Sequence, residues 1–362
     1  MKKAVVVGSG LIGMLSAYEL VKAGWQVELL EKGQIARESS WAGGGILSPL
    51  YPWRYPDPIT ELARWSQQHY PKLVQALHDE SGVDPEWTQS GLLMLDTGDR
   101  EKALEWADRF GYQLEELSGD ALRQCEPALT HTAERALWME SVAQVRNPRL
   151  IRALHKSLIS RGVVIHEETE VTRLLHSGER VSGVVTKVGS IEADVVIIAA
   201  GAWSGRLLGA LGASVEKRIA IRPVRGQMLL FKGQPGMISR IILGKRHYVI
   251  PRRDGRVLVG STMEEVGFDK STTENAREEL LNAAKSLVPA LAEVPVERHW
   301  AGLRPGSPIG VPYIGEHPEI KGLFVNSGHF RNGVVMGPAS ARLLVDMIGG
   351  INPILEPAPY AL

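Results

Sequence analysis

A glycine-rich hexapeptide near the N-terminus has the spacing of a nucleotide-binding turn. Residues 8–13 read GSGLIG and follow an apolar run at 4–7 that is typical of a buried parallel strand. Small residues at this spacing allow a tight turn and let the backbone approach a pyrophosphate at a helix N-terminus. Glu31 ends the next predicted strand, where its carboxylate can accept hydrogen bonds from a ribose. The pattern predicts a dinucleotide site and argues against a 2′-phosphate, but it does not separate NAD from FAD.

Three further glycine-rich segments lie far along the chain from this turn. They read AGGG at 42–45, AAGAWSG at 199–205 and GHFRNG at 328–333. A long cofactor needs contacts that are dispersed in this way. The segments therefore favour one large nucleotide cofactor that several parts of the chain surround.

The elements that must position these segments begin with one βαβ unit. Strand 4–7, a helix to about Val21 and strand 26–30 form it. Apolar residues then recur at helical spacing from 59 to about 80 and from 100 to 125. Asn147 has the position of an N-cap for a helix at 147–162.

The second half of the chain first adds a strand to the predicted nucleotide-binding sheet and then shows a pattern of antiparallel strands. An apolar strand at 195–200 leads to Gly201, and alternating strands follow after about residue 215, with Asp254-Gly255 as a hairpin signal. We therefore predict an α/β fold with two discontinuous domains. The Rossmann-like cofactor domain takes 1–85, 143–215 and 300–362, and the antiparallel-sheet substrate domain takes 86–142 and 216–299.

Composition excludes several classes of function. Lys plus Arg and Asp plus Glu both number 41, so no net field favours nucleic acid or an anionic membrane. A single cysteine, Cys125, excludes an internal disulfide and a thiolate metal cage. The sequence shows no HExxH motif, no grouped His and Cys ligands and no nucleophile signature, so we expect no metal site. The longest aliphatic run is too short to span a bilayer, so we expect a cytoplasmic protein without a membrane segment.

The motifs together resemble a known family, the flavin-dependent amine and D-amino acid oxidases of the D-amino acid oxidase type. The resemblance is strongest to its bacterial glycine oxidase branch and covers essentially the whole chain. It rests on VVVGSGLIG, ESSWAGGGIL, ADVVIIAAGAWSG, HYVIPRRDGRVLVGSTM, WAGLRPGSPIGVPYIG and GHFRNGVVMGPA, in this order.

The resemblance implies FAD as the cofactor and identifies residues around it. The turn would face the pyrophosphate, Glu31 and Lys32 the adenosine ribose, and Val171 the adenine. The C-terminal segment would face the flavin ring, where a positive helix end stabilises negative charge. The full predicted set is Gly8, Gly10, Leu11, Ile12, Gly13, Glu31, Lys32, Ser39, Ser40, Gly44, Gly45, Ile46, Val171, Gly201, His329, Phe330, Arg331, Asn332, Gly333, Val334 and Val335.

The resemblance also implies a substrate site. Arg304 and Arg331 match arginines near the amino acid carboxylate, a role that suits the planar guanidinium. Tyr248 would donate its hydroxyl to the same carboxylate, and Met263 would form a soft apolar wall opposite the flavin. No side-chain base is implied, because hydride transfer to the flavin carries the reaction.

The function implied is oxidation of glycine and other small amines or D-amino acids to the imino or oxo acid, ammonia and hydrogen peroxide. Members of this branch commonly supply the imine of glycine for the thiazole of thiamine, and related enzymes are homotetramers. Covalent relatives attach FAD through a cysteine near the C-terminal flavin segment, but no cysteine follows Cys125 here, so FAD should be non-covalent. A D-amino acid dehydrogenase that uses another acceptor and a non-catalytic flavin-binding protein remain alternatives.

Overall fold

A computed structural model of the chain describes residues 1–129, 133–213, 219–244 and 246–362. The predicted boundary between 215 and 216 lies outside the described residues. The strands are β1 (Lys3–Val7), β2 (Gln26–Leu30), β3 (Thr88–Gln89), β4 (Leu92–Met94), β5 (Glu115–Ser118), β6 (Arg135–Met139), β7 (Ala143–Gln144), β8 (Val164–His166), β9 (Val171–Ser177), β10 (Arg180–Thr186), β11 (Gly189–Glu192), β12 (Val195–Ile198), β13 (Arg222–Lys232), β14 (Ile241–Gly244), β15 (His247–Pro251), β16 (Arg256–Gly260), β17 (Val296–Gly306), β18 (Tyr313–Glu316) and β19 (Leu323–Ser327).

The α-helices of the described residues are interspersed among these strands. They are α1 (Leu11–Lys22), α2 (Ser39–Ala42), α3 (Asp57–Ser81), α4 (Arg100–Phe110), α5 (Gly119–Cys125), α6 (Asn147–Ser160), α7 (Ser204–Ala210), α8 (Glu274–Leu287) and α9 (Gly333–Gly349). Short 3-10 helices occur at Pro52–Arg54, Pro127–Leu129, Gly201–Trp203, Pro289–Glu293 and Ala358–Tyr360.

The first layer is a six-stranded sheet in the order β18-β19-β12-β1-β2-β8. All neighbours are parallel except β18, which runs antiparallel to β19. Its strands are apolar because both faces are covered: one face packs with α1, α3, α6 and α9, and the other packs against β9–β11. This is the Rossmann-like layer that the sequence predicts.

The second layer is an eight-stranded sheet in the order β17-β13-β16-β15-β14-β4-β6-β5. Its neighbours are antiparallel except for the parallel pair β14 and β4. Helix α8 packs on this sheet within one apolar core, and α4 lies in the core of its other face. The mixed α/β architecture with a second, largely antiparallel sheet confirms the predicted fold class.

Two local predictions differ from the structure. The helical spacing at 100–125 resolves into α4 and α5 with β5 between them, because Gly111 ends α4 in the left-handed conformation, at φ +69°. Asn147 is the first residue of α6 and Arg146 is its N-cap. The Asn147 side chain instead donates to the Ser40 carbonyl, at 2.8 Å, and so ties α6 to the start of the second glycine segment.

Helix α9 contains a proline whose missing N–H is compensated by α3. Pro338 cannot donate to the Val334 carbonyl four residues earlier. The buried Tyr70 hydroxyl donates to that carbonyl instead, and one turn earlier Ser66 Oγ accepts from the Ala339 N–H at 3.0 Å. Burial raises the pKa of Tyr70, so the hydroxyl keeps the proton that it donates. Helix α3 therefore fixes the first turns of α9.

Tyr70→Phe should lower the free energy of unfolding by about 1–3 kcal/mol, because it leaves the Val334 carbonyl without its donor. The measurement is urea denaturation of the FAD-loaded protein.

The matched control is the same substitution in a Pro338→Ala background, where the new Ala N–H can donate to the Val334 carbonyl. We expect the cost of Tyr70→Phe to shrink there. Equal costs in the two backgrounds would show that Tyr70 stabilises the protein by packing alone.

Candidate active site

A cavity of about 560 Å³ lies where the two layers meet. The six-stranded sheet contributes the carboxyl ends of β1, β2 and β12, together with the start of α9. The eight-stranded sheet contributes Tyr248 of β15 and Arg304 of β17. Ligands of parallel α/β sheets bind at the carboxyl ends of their strands, so the cavity has the position of a nucleotide site.

The turn after β1 packs too closely to carry side chains. A Cβ at Gly8 would lie 2.5 Å from the Ala199 carbonyl oxygen, and φ is +108° there. A Cβ at Gly13 would lie 1.9 Å from the Gly8 carbonyl oxygen. Gly8 and Gly10 line the cavity, whereas Gly13 does not. The structure therefore does not place Gly13 at the cofactor cavity as predicted. Its missing side chain instead lets α1 pack closely against the turn at Gly8.

Glu31 is held at the cavity wall by the same turn. Its Oε2 accepts from the Ser9 N–H at 3.0 Å and from Ser9 Oγ at 2.9 Å, and Oε1 accepts from the Gly33 N–H at 3.1 Å. The Leu11 N–H donates to Ser40 Oγ at 2.8 Å, which places a hydroxyl at the start of α1. Donors and acceptors for a nucleotide therefore converge at this wall.

The C-terminal segment forms a wall with unpaired polar atoms. Asn326, His329 and Asn332 line the cavity, and one buried polar atom of each, Asn326 Oδ1, His329 Nδ1 and Asn332 Nδ2, has no hydrogen-bond partner among the described residues. Buried polar groups normally have partners, so these side chains can complete their hydrogen bonding when they adjust to a bound ligand. Val335 is 1% exposed and belongs to the apolar core, so the structure does not place it in the cavity as predicted.

Arg304 projects into the cavity with neutral partners only. Its Nη2 donates to Ser261 Oγ at 2.7 Å, and Nη1 donates to the Thr262 carbonyl at 3.1 Å and the Arg225 carbonyl at 3.4 Å. Among the described residues no carboxylate forms an ion pair with it. Its charge therefore remains available to an anionic ligand.

Two other predicted residues lie beside this guanidinium. Burial lowers the pKa of Arg304 and the positive charge of Arg331 acts in the same direction, while the nearby Tyr248 side chain opposes both. Arg331 and the buried Tyr248 also line the cavity. Two guanidinium groups and a phenol hydroxyl thus converge on one small volume, which suits a carboxylate.

Met263 does not lie where the sequence predicts. Its side chain is 61% exposed, and it is absent from the cavity lining. The backbone beyond β16 pairs with Arg225 through Glu264, and it is Ser261 that faces the cavity. The structure does not place Met263 at the cavity, and its role as an apolar wall opposite the flavin stays a prediction.

Two residues that the sequence analysis missed support the site. Ser261 anchors Arg304, and nothing in its sequence context signals this. The buried Arg252 donates from Nη2 to the Gly44 carbonyl at 2.7 Å and from Nη1 to Gln144 Oε1 at 2.6 Å. Burial, together with the neighbouring Arg146, lowers the pKa of Arg252 to about 10, so it remains charged at neutral pH. The position of Arg252 next to the Asp254-Gly255 hairpin is the sequence feature that could have identified it.

The structure brings most of the predicted residues together at one cavity. Those in the lining are Gly8, Gly10, Leu11, Ile12, Glu31, Lys32, Ser39, Ser40, Gly44, Gly45, Ile46, Val171, Gly201, Tyr248, Arg304, His329, Phe330, Arg331, Asn332, Gly333 and Val334. Gly13, Met263 and Val335 are the exceptions.

In the described ranges no group of three or more His, Cys, Asp or Glu side chains could hold a metal ion. No described helix combines the length and apolar character that a bilayer crossing needs.

His329 should make stability depend on pH. Burial lowers its pKa to about 3, below the unfolded value of roughly 6.5, so its contribution is fully present above pH ~6.5 and is lost as the pH falls toward 3. His329→Gln should therefore lose less unfolding free energy between pH 7 and pH 4 than the unsubstituted protein.

The exposed His176 gives the control for this comparison. His176→Gln should keep the slope of the unsubstituted protein. The same slope in His329→Gln would mean that His329 does not fold as a buried neutral group.

Comparison with known proteins agrees with this geometry. Residues 3–347 match the family described as FAD dependent oxidoreductase (DAO). The chain is 50% identical to the glycine oxidase of Pseudomonas aeruginosa over 99% of its own length and 98% of the relative. It is 30% identical to the bifunctional protein ThiO/ThiG of Synechocystis over 95% of its own length and 51% of the relative.

Solved structures show the same arrangement over the whole chain. The crystal structure of glycine oxidase from Geobacillus kaustophilus superposes with a TM-score of 0.92 at 28% identity, and it covers 100% of this chain and 99% of that chain. The chain belongs to the D-amino acid oxidase-type family of FAD-dependent oxidoreductases.

Proposed function

We propose that the protein oxidises glycine, and other small amines or D-amino acids, with FAD and dioxygen. For glycine, the amine carbon loses two electrons to give the imine, which water hydrolyses to the oxo acid and ammonia, while dioxygen is reduced to hydrogen peroxide. The single observation that carries the proposal is Arg304, a guanidinium with no ion-pair partner among the described residues, beside Tyr248 and Arg331 in the cavity. Similarity to glycine oxidases supports the choice of substrate.

The residues present fit FAD. The glycine turn after β1 leaves backbone open to a pyrophosphate, and Glu31 offers carboxylate oxygens to a ribose. At Gly44 a Cβ would lie 2.7 Å from Ile250 Cδ1, so the cavity wall there consists of backbone. Asn332 and His329 line the same cavity, and each has a nitrogen without a hydrogen-bond partner among the described residues, so these side chains can serve polar atoms of the flavin ring. When bound, FAD supplies the two-electron acceptor of the reaction.

The chain's own residues bind and orient the substrate. Arg304 and Arg331 attract the carboxylate, and the Tyr248 hydroxyl can donate to it. An anchored carboxylate fixes the direction of the amine-bearing carbon two atoms away, which is the contribution of orientation to the rate. The buried surroundings of Tyr248 limit water, so these charged contacts are stronger than in bulk solvent.

Helix α9 contributes electrostatic stabilisation. Its first residues, Gly333 and Val334, line the cavity, and the N-terminus of a helix carries a partial positive charge. Negative charge that develops on a ligand near this end is stabilised, which favours acceptance of electrons there.

The mode of FAD attachment and the wider role of the protein are part of the proposal. Cys125 does not line the cavity, which supports non-covalent FAD. We further propose a cytoplasmic homo-oligomer, a homotetramer as in related enzymes, whose assembly light scattering can measure. Supply of the imine for thiamine thiazole is supported by the similarity to ThiO/ThiG.

Anaerobic mixing with glycine is the decisive experiment. The visible flavin absorbance of the holoenzyme should bleach, and admission of air should restore it with formation of hydrogen peroxide. Bleaching without reoxidation by air would indicate a dehydrogenase that uses another acceptor. Absence of bleaching by glycine, sarcosine and small D-amino acids would leave only a flavin-binding role. Acid precipitation of the same preparation, which releases flavin that is not covalently attached, gives the cofactor content.

Arg304→Ala should raise KM for glycine by about 100-fold or more, because loss of one partner of a buried charged hydrogen bond costs roughly 2–5 kcal/mol. The KM for glycine ethyl ester, whose carboxylate is blocked, should change far less. Steady-state peroxide production measures both values.

Arg298→Ala is the matched control, since Arg298 is an exposed arginine on the same strand. It should leave both KM values unchanged. An equal loss on the acid and the ester in Arg304→Ala would mean that Arg304 does not bind the carboxylate.

A further inference from the structure

The guanidinium of Arg304 lies directly over a glycine of the neighbouring strand. In the pairing of β13 with β17, Val224 is opposite Arg304 and Gly226 is opposite Gly302. Side chains two residues apart on a strand share one face, so Arg304 and Gly226 are diagonal neighbours on the same face. A Cβ at Gly226 would lie 2.1 Å from both Arg304 Nη atoms and 2.3 Å from Cζ.

The tightest constraint on a side chain at residue 226 is the contact with Arg304. Backbone φ at Gly226 lies outside the left-handed range, so an L-residue could adopt its conformation without strain. No atom other than those of the guanidinium is among the three nearest to the added Cβ. The need for glycine therefore comes from the space that Arg304 occupies.

The guanidinium cannot simply move back to make room. Its hydrogen bonds to Ser261, Thr262 and Arg225 hold it against the segment that follows β16. That segment is itself fixed, because Arg225 and Glu264 exchange backbone hydrogen bonds at 2.9 and 3.0 Å. The Arg225 side chain adds ion pairs to Glu264 and Asp269, each at 2.6 Å. A methyl group at residue 226 would force the guanidinium away from these partners.

We propose that Gly226 is a positioning residue that sets the carboxylate specificity of the cavity by seating the Arg304 guanidinium. The proposal rests on the proposed function, in which Arg304 binds the substrate carboxylate. With a side chain at 226, Arg304 would shift into the volume that a two-carbon acid needs. Recognition of short amino acids would then weaken, while amines without a free carboxylate would be affected little.

Gly226→Ala in the FAD-loaded enzyme tests the proposal. We expect kcat/KM for glycine to fall by roughly 10- to 100-fold, mainly through KM, since a displacement near 1 Å costs up to about 100-fold. The value for glycine ethyl ester should change by less than about threefold, because groups without a shared contact act independently. Binding of glycolate, a two-carbon acid without an amine, should weaken in parallel when followed by the visible flavin spectrum.

Gly98→Ala is the matched control, because a Cβ there meets no atom within 4 Å and the backbone φ is ordinary. It should leave both substrates and glycolate unaffected. Equal losses on glycine and its ester in Gly226→Ala would overturn the proposal, since they would show a general disturbance of the site.

A double-mutant cycle with Arg304→Ala separates this proposal from the proposed function. In the Arg304→Ala background, Gly226→Ala should have no further effect on glycine, because the group that it displaces is gone. A persistent loss would overturn the role of Gly226. If Arg304→Ala itself spares glycine, Arg304 is not the carboxylate anchor and this inference fails with it, whereas the proposed oxidation of glycine is tested separately by anaerobic bleaching of the unsubstituted enzyme. If only Gly226→Ala spares glycine, the anchor stands and this inference alone fails.

The cycle also covers a failure to fold. If Gly226→Ala yields no flavin-loaded protein, removal of the guanidinium in Gly226→Ala with Arg304→Ala should restore it, because the added methyl group then has space. Recovery measured by flavin content and Tm supports the proposal. Absence of recovery overturns it.

Discussion

An excess of positive charge in a partly enclosed volume is the constraint around which this site is built. Arg304 has carbonyl and hydroxyl partners only, and Arg331 adds a second guanidinium close by. A half-buried cation without an ion-pair partner is costly, and an anion that binds to it offsets part of that cost. Without a bound anion the two guanidinium groups are therefore least favourably placed. The sheet must hold the Arg304 side chain in position in that state. The long β13–β17 pair and the Arg225–Glu264 contacts do so.

The cavity also requires glycine at several positions where no side chain fits. Gly8, Gly44 and Gly226 each stand where a methyl group would meet backbone or a functional side chain. They serve different parts of the site: Gly8 lets two backbone segments approach each other, Gly44 leaves space for Ile250 and Tyr248, and Gly226 leaves space for the Arg304 guanidinium. Arg252 shows the complementary solution, since a buried charged side chain holds the Gly44 carbonyl in place where the loop has no side chain to anchor it.

The sequence predicts the parts of this site whose cause is local. The turn at Gly8, Glu31 at the end of β2 and the hairpin around Gly255 follow from spacing, and the structure agrees. Ser261 and Gly226 could not be found in this way, because their roles depend on contacts with Arg304, which is 43 positions from Ser261 and lies on a strand paired with that of Gly226. Ser261, two residues before Met263, faces the cavity, whereas the Met263 side chain is exposed, and spacing alone does not show which of the two turns inward. Gly13 and Val335 have the expected helices but face the packed interior.

The order of the strands in the sheet affects folding during translation. The glycine turn follows β1, but the neighbouring strands β12 and β19 of the same sheet are synthesised much later. The start of α9, which lines the cavity, is synthesised after them. At roughly 5–20 residues per second, translation separates β1 from β19 by about 15 to 60 s. During this interval the nascent chain exposes apolar strands that lack neighbours. The cavity wall at α9 is made after the strands of the sheet, so cofactor capture follows the synthesis of α9.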